Sequence, residues 1–232
     1  MSKKIGIIGA MKIEVESLAL MLEDRRESVT SNITFYEGKL SGRDVVIAES
    51  GVGKVFASVC AQTMILKYGA DAIINSGVAG GLSEKLTICS AVVADKVVQH
   101  DMDTSPLGDP VGLISGIDKI YIEADKDIVS ALEKCLESYE NPYLVGTIAS
   151  GDQFISDASK KELLKSQFGA CACEMEGAAV GHVCYINNIP FGVFRTISDG
   201  GDDAAQMDFP TFAKTAAKRA QEIICEFVKI YR

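Results

Sequence analysis

Apolar runs of at most about eight residues, each ended by glycine or a polar residue, alternate along this chain with segments of helical periodicity. Short apolar runs are typical of buried strands, whereas apolar residues at every third and fourth position indicate helices with one buried face. An alternation of the two predicts a sheet covered by helices on both faces. The expected fold class is therefore α/β, a single domain over residues 1–232 with a mixed central β-sheet flanked by helices.

The pattern predicts individual elements. Strands are predicted over residues 4–10, 72–75, 91–98, 144–150, 171–174 and 191–197, and a hairpin over 33–40 and 45–50. Helices are predicted over residues 13–22, 54–68, 125–138, 159–168, 177–187 and 211–230. In sheets of this kind, ligands bind beyond the C-terminal ends of the strands. Polar residues that directly follow an apolar strand are therefore the first candidates for function.

Composition excludes several classes of protein. The chain is 47% hydrophobic and 24% charged, which is ordinary for a globular domain. A membrane-spanning helix needs roughly 20 apolar residues, and no run is that long. The apolar run near the N-terminus is broken by Lys12 and Glu14, too early for a secretion signal, so a cytoplasmic protein without a membrane partner is expected.

Charge and cysteine usage exclude further classes. The net charge is −9 and no cluster of Lys or Arg is present, so no nucleic-acid partner is expected. The seven cysteines are scattered through apolar segments. Cys171 and Cys173 are too close together for a simple metal or redox motif, and no second cluster completes one. We expect reduced thiols that pack in the interior, and no metal site.

Two segments near the first strands carry candidate residues. Glu14 lies one helical turn after the first strand, where the helix dipole favours a carboxylate, so it is either a stabilising first-turn acid or a functional one. The segment 75–81 reads Asn-Ser-Gly-Val-Ala-Gly-Gly. Its glycines allow either a tight turn or a close approach of backbone to ligand. It fits neither the dinucleotide fingerprint nor the phosphate-loop pattern.

Later strand ends carry an aromatic residue and several charges. Phe154 follows a buried strand and is able either to stack on a planar base or to pack in the core. Glu174 and Glu176 flank a methionine at the start of an apolar helix, where one of them is explained as a cap and the other needs a partner such as a sugar diol. Asp199 ends an apolar strand, so its pKa is expected to be raised. Arg195, on the same face of that strand by alternation, is either functional or its structural ion-pair partner.

Together these residue types match the needs of one reaction. Departure of a purine from ribose passes through a transition state that resembles an oxocarbenium ion, which nearby carboxylates stabilise. An acid that protonates the purine makes it a better leaving group. A proton donor, a diol-binding carboxylate, a group that activates water and a stacking aromatic are all available among the candidates.

Seven motifs, in order along the chain, carry a resemblance to a known family. They are residues 5–11 with Glu14, 50–54, 73–81, 100–101, 150–155, 174–176 and 195–199. Over essentially its whole length the chain resembles the 5′-methylthioadenosine/S-adenosylhomocysteine nucleosidases of the nucleoside phosphorylase superfamily. The resemblance implies hydrolysis of the N-glycosidic bond of these nucleosides, a homodimer in which a neighbouring subunit closes the 5′ pocket, and no metal or organic cofactor.

The resemblance also implies roles for individual residues. Asp199 is expected to protonate N7 of adenine, and Glu14 to activate the attacking water. The residues implied in binding are Ser198, which holds Asp199; Ile155 and Phe154 at the base; Glu176 and Met175 at the ribose; Arg195 and Glu174 near the water; and Met11 and Phe209 at the ribose and the 5′ end.

The chain departs from the family in two places. Val78 occupies a position in the glycine-rich segment that often holds a serine that positions water. Leu107-Gly-Asp109 replaces a Phe-Gly-Tyr sequence in the 5′ pocket loop. A less aromatic and more polar pocket wall predicts weaker binding of a small methylthio group relative to longer or more polar 5′ substituents.

Three alternatives remain open from the sequence. A phosphorylase of the same superfamily would use phosphate instead of water, but an acid at Glu14 should repel phosphate. A hydrolase of another adenine nucleoside, such as aminodeoxyfutalosine, is compatible with the altered pocket loop. A non-catalytic nucleoside-binding protein with this fold is the third, although all the expected acids are present.

Overall fold

A computed structural model describes residues 3–200 and 205–231 of the chain. The strands of this part are β1 (Ile5–Gly9), β2 (Glu23–Thr30), β3 (Ile33–Leu40), β4 (Arg43–Glu49), β5 (Ala72–Gly81), β6 (Ala91–Gln99), β7 (Tyr121–Glu123), β8 (Tyr143–Ser150), β9 (Ala170–Glu174) and β10 (Phe191–Asp199). The helices are α1 (Lys12–Leu20), α2 (Lys54–Leu66), α3 (Lys126–Leu136), α4 (Ala158–Phe168), α5 (Gly177–Asn187) and α6 (Ala205–Ile230). A single 3₁₀ turn at Ser105–Leu107 is the remaining helical element of the described chain.

The strands form one mixed sheet, as predicted. Strands β5, β10, β6, β8 and β9 pair in that order and β9 pairs again with β5, so these five close into a ring. Strands β1, β4, β3 and β2 extend the sheet outward from β5, with β1 parallel to both β5 and β4. The hairpin predicted from the sequence is β3–β4.

Helices cover both faces of the sheet, which confirms the expected α/β class. Successive side chains of a strand point to opposite faces. In β5, Ile73 packs in the core formed with α2 and α5, and its neighbour Ile74 packs in the core formed with α1, α3 and α6. Gly6 in β1 lies so close to Ile73 that a Cβ would stand 2.5 Å from its Cδ1, so bulk is not tolerated there.

The structure corrects several predicted boundaries and adds strands β2 and β7, which were not predicted. Strand β5 runs through the glycine-rich segment to Gly81 and does not turn after Asn75, because β10 pairs with it along its length. The last strand reaches Asp199, two residues further than expected. Strand β2 was not predicted, since its charged, exposed sequence lacks strand periodicity and is held by pairing with β3. Helix α6 begins at Ala205 and contains Pro210.

Candidate active site

A cavity of about 280 Å³ opens where the C-terminal ends of β1, β5, β8, β9 and β10 meet. Eleven of the twelve predicted site residues line it: Met11, Glu14, Val78, Phe154, Ile155, Glu174, Met175, Glu176, Ser198, Asp199 and Phe209. The twelfth, Arg195, is buried beside the cavity and contacts Glu174. The polar strand ends picked out by the sequence are thus brought together, although they come from positions spread over the whole chain.

Glu14 is an acid of the first turn of α1, as one interpretation of its sequence position had it, and it also lines the cavity. Its Oε2 accepts hydrogen bonds from the N–H groups of Ala10 (2.8 Å) and Met11 (2.9 Å), so it caps the start of α1. Its Oε1 accepts a bond of 3.0 Å from the N–H of Val78. The side chain is only 3% exposed and lines the cavity. Burial raises the pKa of Glu14, against the opposing effects of the Arg195 charge and the three N–H donors.

The backbone around Val78 is shaped to receive that carboxylate. A Cβ on Gly77 would stand 2.4 Å from Glu14 Oε1, so a glycine is required where the two segments meet. The Val78 side chain packs with Ala216 and Ala217 of α6. Val78 therefore holds the acid through its main chain and offers the cavity an apolar surface.

Asp199 is directed into the cavity by an irregularity at the end of β10. The pairing register with β5 shifts between Ile197 and Asp199, and such bulges re-aim side chains next to functional sites. Ser198 Oγ donates a hydrogen bond of 2.9 Å to Asp199 Oδ2. Both side chains are buried, so the serine fixes the orientation of the carboxyl group.

Glu174 and Arg195 form a buried ion pair at the floor of the site. Four donor groups bind the Glu174 carboxylate: Arg195 Nη2, Ser150 Oγ, and the N–H groups of Glu176 and Gly177. The guanidinium also donates from Nη1 to the carbonyl oxygen of Asn75 at 3.0 Å. The structural partner of Arg195 is thus Glu174, which corrects the alternative of an Arg195–Asp199 pair.

The Glu176 carboxylate accepts fewer hydrogen bonds from the protein than the Glu174 carboxylate does. Its Oε1 accepts a hydrogen bond of 2.8 Å from the N–H of Gly53, and its Oε2 lies 4.0 Å from Arg195 Nη2. Burial, and then the nearby Glu174 charge, raise the pKa of Glu176, while Arg195 and the Gly53 N–H oppose the rise. Glu176 Oε2 therefore retains room for donors from a ligand, whereas Glu174 is occupied by the protein.

The aromatic wall is exposed to the cavity and is not part of the core. Phe154 is 47% exposed and meets Phe209 edge to face, with ring centroids 5.5 Å apart. Ile155 beside it is buried among core residues near β8 and β9. Of the two interpretations that the sequence allowed for Phe154, the structure excludes core packing and leaves a free aromatic face beside the carboxylates.

Six further residues that line the cavity were not predicted as site residues from the sequence. The cavity is also lined by Ala10, Val52, Ala79, Gly80, Gln153 and Cys173. All but Val52 adjoin residues that had been singled out, and Val52 lies within the 50–54 motif. Cys173 was expected only to pack, yet it forms part of the wall, while Cys171 points to Thr147 and packs outside it. Leu107 is 84% exposed, and neither it nor Asp109 lines this cavity.

Comparisons with known proteins find relatives that match nearly the whole chain. A family model described as the phosphorylase superfamily matches residues 4–229. A 5′-methylthioadenosine/S-adenosylhomocysteine nucleosidase of Haemophilus influenzae (strain PittEE) is 35% identical over 226 residues, which cover 97% of this chain and 98% of the relative. The solved structure of such a nucleosidase from Neisseria meningitidis, in complex with methylthio-immucillin-A, aligns with a TM-score of 0.94 at 32% identity over 98% of this chain and 99% of that one.

A third relative has a different name. The structure of a futalosine hydrolase from Helicobacter pylori strain 26695 aligns with a TM-score of 0.94 at 36% identity, covering 98% of each chain. The overall fold and the identity level are therefore shared by proteins named for different nucleoside substrates.

Proposed function

This chain belongs to the phosphorylase superfamily, among relatives named 5′-methylthioadenosine/S-adenosylhomocysteine nucleosidases, and we propose that it is an N-ribosyl hydrolase of these two nucleosides. One observation carries the proposal most directly: three buried acids, Glu14, Glu176 and Asp199, face one cavity whose wall includes a free aromatic ring. The reaction adds water to the anomeric carbon of the ribose and releases adenine.

Protonation of the leaving group, adenine, is assigned to Asp199. In the proposal its carboxyl group gives a proton to N7 of adenine as the glycosidic bond breaks, so that neutral adenine departs. The hydrogen bond from Ser198 Oγ to Asp199 Oδ2 holds the carboxyl group at the wall of the cavity, where the base is proposed to bind. Phe154 stacks on the purine, and Ile155 is placed to contact its edge through the backbone.

Binding of the ribose is assigned to Glu176, and activation of the water is assigned to Glu14. Glu176 accepts hydrogen bonds from the ribose hydroxyls through Oε2, and Met175 packs against the sugar. Glu14, as the carboxylate, removes a proton from the attacking water, which then bonds to the carbon that adenine leaves. The negative charges also stabilise the oxocarbenium-like transition state, with an effect that grows where solvent is excluded.

Arg195 and Glu174 affect this chemistry indirectly, through the acids that line the cavity. The guanidinium is neutralised by Glu174 and still lowers the pKa of Glu14 and of Glu176. It therefore opposes the effect of burial on the pKa of both acids. We propose these two residues as supports of the acids and not as direct ligands of the sugar.

Purified protein should be incubated with 5′-methylthioadenosine in phosphate-free buffer, with free adenine as the readout. We expect adenine release that falls by at least about a hundredfold in Asp199→Asn, because loss of a positioned general acid has an effect of that order. Release that requires added phosphate would favour the phosphorylase alternative. Ligand binding without any release would favour a non-catalytic protein.

A hydrolase of another adenine nucleoside is the second candidate, and the futalosine hydrolase neighbour is the observation that favours it. The same assay run with aminodeoxyfutalosine decides between them. A kcat/KM for that compound well above those for methylthioadenosine and adenosylhomocysteine would transfer the assignment to it.

We also propose that the protein is a homodimer that associates through the outer face of α2. Val55, Phe56 and Val59 are exposed apolar residues on this face, and Val52, directly before it, lines the cavity. Ile186 of α5 continues the apolar surface. Sedimentation of the wild type and of Phe56→Glu tests this, and a monomeric wild type would contradict it.

No helix in the described part of the chain is long and apolar enough to cross a membrane. All seven cysteines are free thiols, as befits a reducing compartment, and we propose a cytoplasmic location. We propose further that the nucleosidase domain spans residues 1–232.

A further inference from the structure

Two loops that border the cavity are joined by a closed set of polar contacts outside it. Lys54 Nζ donates to Asp101 Oδ1 at 2.6 Å, and the N–H of Asp152 donates to Asp101 Oδ2 at 2.9 Å. The N–H of Lys54 in turn donates to Asp152 Oδ1 at 2.8 Å. These three residues, here called the latch, come from the start of α2 and from the segments after β6 and β8.

The latch is one residue away from a ligand-facing carboxylate. Gly53, directly before Lys54, donates its N–H to Glu176 Oε1 at 2.8 Å. Gly53 has φ +101°, a conformation that disfavours any residue with a side chain, and a Cβ there would stand 3.0 Å from Asp152 Oδ1. The two peptide groups that flank Gly53 thus bind different carboxylates: the Gly53 N–H donates to Glu176 and the Lys54 N–H donates to Asp152.

The latch also reaches the opposite wall. Asp152 lies two residues before Phe154, the exposed aromatic ring of the cavity. Loosening Asp152 from Asp101 and Lys54 would free both the Gly53 peptide and the segment that carries Phe154. The latch therefore contacts both segments, the one that binds Glu176 and the one that carries Phe154.

The ion pair in the latch is more than a surface contact. The side chains of Lys54 and Asp101 are 19% and 17% exposed, and Lys54 Nζ also donates to Gln99 Oε1 at 3.2 Å. Burial disfavours the charged form of Asp101, but the bonds from Lys54 and from the Asp152 backbone outweigh it and lower its pKa. Asp101 is therefore charged at neutral pH, and charge-assisted bonds of this kind are stronger than neutral ones.

We propose that Lys54, Asp101 and Asp152 are positioning residues that hold the Gly53 N–H against Glu176 and thereby set the affinity for the ribose. This inference rests on the proposed function, because it takes Glu176 as the ribose ligand. None of the three lines the cavity, so they act through Gly53 and through the loop after β8.

The first test compares Asp101→Ala with a matched control. We expect KM for methylthioadenosine to rise about tenfold, as for loss of a charge-assisted hydrogen bond, while kcat changes less than about threefold. Asp101→Asn, which keeps one acceptor but loses the charge, should lie between this variant and the wild type. The control is Glu37→Ala, which removes the Lys4–Glu37 pair, also 2.6 Å long, on β3 away from the cavity.

A pH profile separates positioning from a general loss of structure. The Gly53 N–H lowers the pKa of Glu176, so its loss should raise that pKa further. Since the carboxylate is the form that accepts both ribose hydroxyls, KM should fall as pH rises. In the latch variants this fall should move to higher pH. Lys54→Met should show the same shift, and Lys54→Arg, which keeps the cation, should largely restore the wild-type profile.

The outcomes are distinguishable. A wild type that releases no adenine would overturn the proposed function and this inference together. An active wild type with an unchanged KM and pH profile in Asp101→Ala and Lys54→Met would overturn the positioning role alone. The positioning role would also be overturned if Glu37→Ala changed KM as much as Asp101→Ala does. If Asp101→Ala does not fold, Lys54→Met, which keeps the Asp101–Asp152 contact, gives the decisive measurement.

Discussion

The N–H of Val78 donates a hydrogen bond of 3.0 Å to Glu14 Oε1, and this bond joins the start of α1 to the middle of β5. Val78 lies in a segment for which the sequence allowed either a tight turn or a close approach of backbone to ligand. It supports the acid through its main chain, although it replaces a serine that is often found at this position. Glu14 is fixed at both oxygens without the help of the Val78 side chain. Its placement depends on backbone geometry, which leads to the first prediction.

Gly77→Ala should disable catalysis while leaving base binding intact. A Cβ at this position would stand 2.4 Å from Glu14 Oε1, so the carboxylate must move. A displacement of about 1 Å in a catalytic group costs on the order of a hundredfold in rate. Adenine release measures the loss, and calorimetric binding of adenine should remain near wild type. Gly116→Ala, where a Cβ meets nothing within 4 Å, is the control.

Arg195→Met should destabilise the protein strongly. It leaves the buried Glu174 charge without its cation, and breaking a buried pair in this way costs about 3–5 kcal/mol of unfolding free energy. Lys229→Met, which breaks the exposed pair with Glu226, should change it by less than about 1 kcal/mol. Urea unfolding of both variants gives the comparison, and equal effects would mean that burial does not matter here.

Glu176→Gln should stabilise the protein at alkaline pH while abolishing ribose binding. Burial and the Glu174 charge raise the pKa of Glu176 to about 8, so the folded state binds this proton more tightly than the unfolded state does. The contribution of this group to the free energy of unfolding is therefore fully present below the ordinary carboxyl pKa, and it is lost as pH rises toward 8. The neutral variant escapes the loss and should gain on the order of 2 kcal/mol relative to wild type between pH 5 and pH 8. Urea unfolding at both pH values tests the sign.

Phe154→Ala should weaken substrate binding with little effect on stability. Stacking of a base on an aromatic ring contributes about 1–3 kcal/mol, so KM should rise about tenfold or more. The ring is 47% exposed, and its removal leaves no core cavity. Leu163→Ala, an exposed apolar residue of α4 outside the site, should change neither quantity. A large loss of stability in Phe154→Ala would mean that the ring is structural.

Leu107→Phe should raise the preference for a methylthio substituent. Leu107 is highly exposed and outside the cavity of its own chain, so in the proposed dimer it is available to the cavity of the partner. An added aromatic contact is worth about 0.5–1.5 kcal/mol, which corresponds to about two- to tenfold in the ratio of kcat/KM for methylthioadenosine to that for adenosylhomocysteine. A wild type that already strongly prefers methylthioadenosine would contradict the premise that the altered loop weakens binding of the methylthio group.

The sequence alone was sufficient for the elements with strong periodicity and for the polar residues at their ends. Helix α5 begins and ends where predicted, because a mostly apolar run between Glu176 and Asn188 leaves little choice. Strand β2 was not foreseen, since its charged residues are held by pairing with β3 and not by burial. The extension of β5 through Gly81 likewise depends on β10 and β9, which pair with it from distant parts of the chain.

By itself, the sequence determined which acids meet in the site, because each follows a strand and all strand ends of this architecture converge. Only the tertiary structure decided what each acid is able to do. Glu174 is occupied by donors from β8, α5 and β10, whereas Glu176 keeps an oxygen free. The physical reason is that the hydrogen-bond partners of a carboxylate decide which of its oxygens can still accept a bond from a ligand. Some of these partners are distant in sequence: 64 residues separate Glu14 from Val78, and 123 separate Gly53 from Glu176.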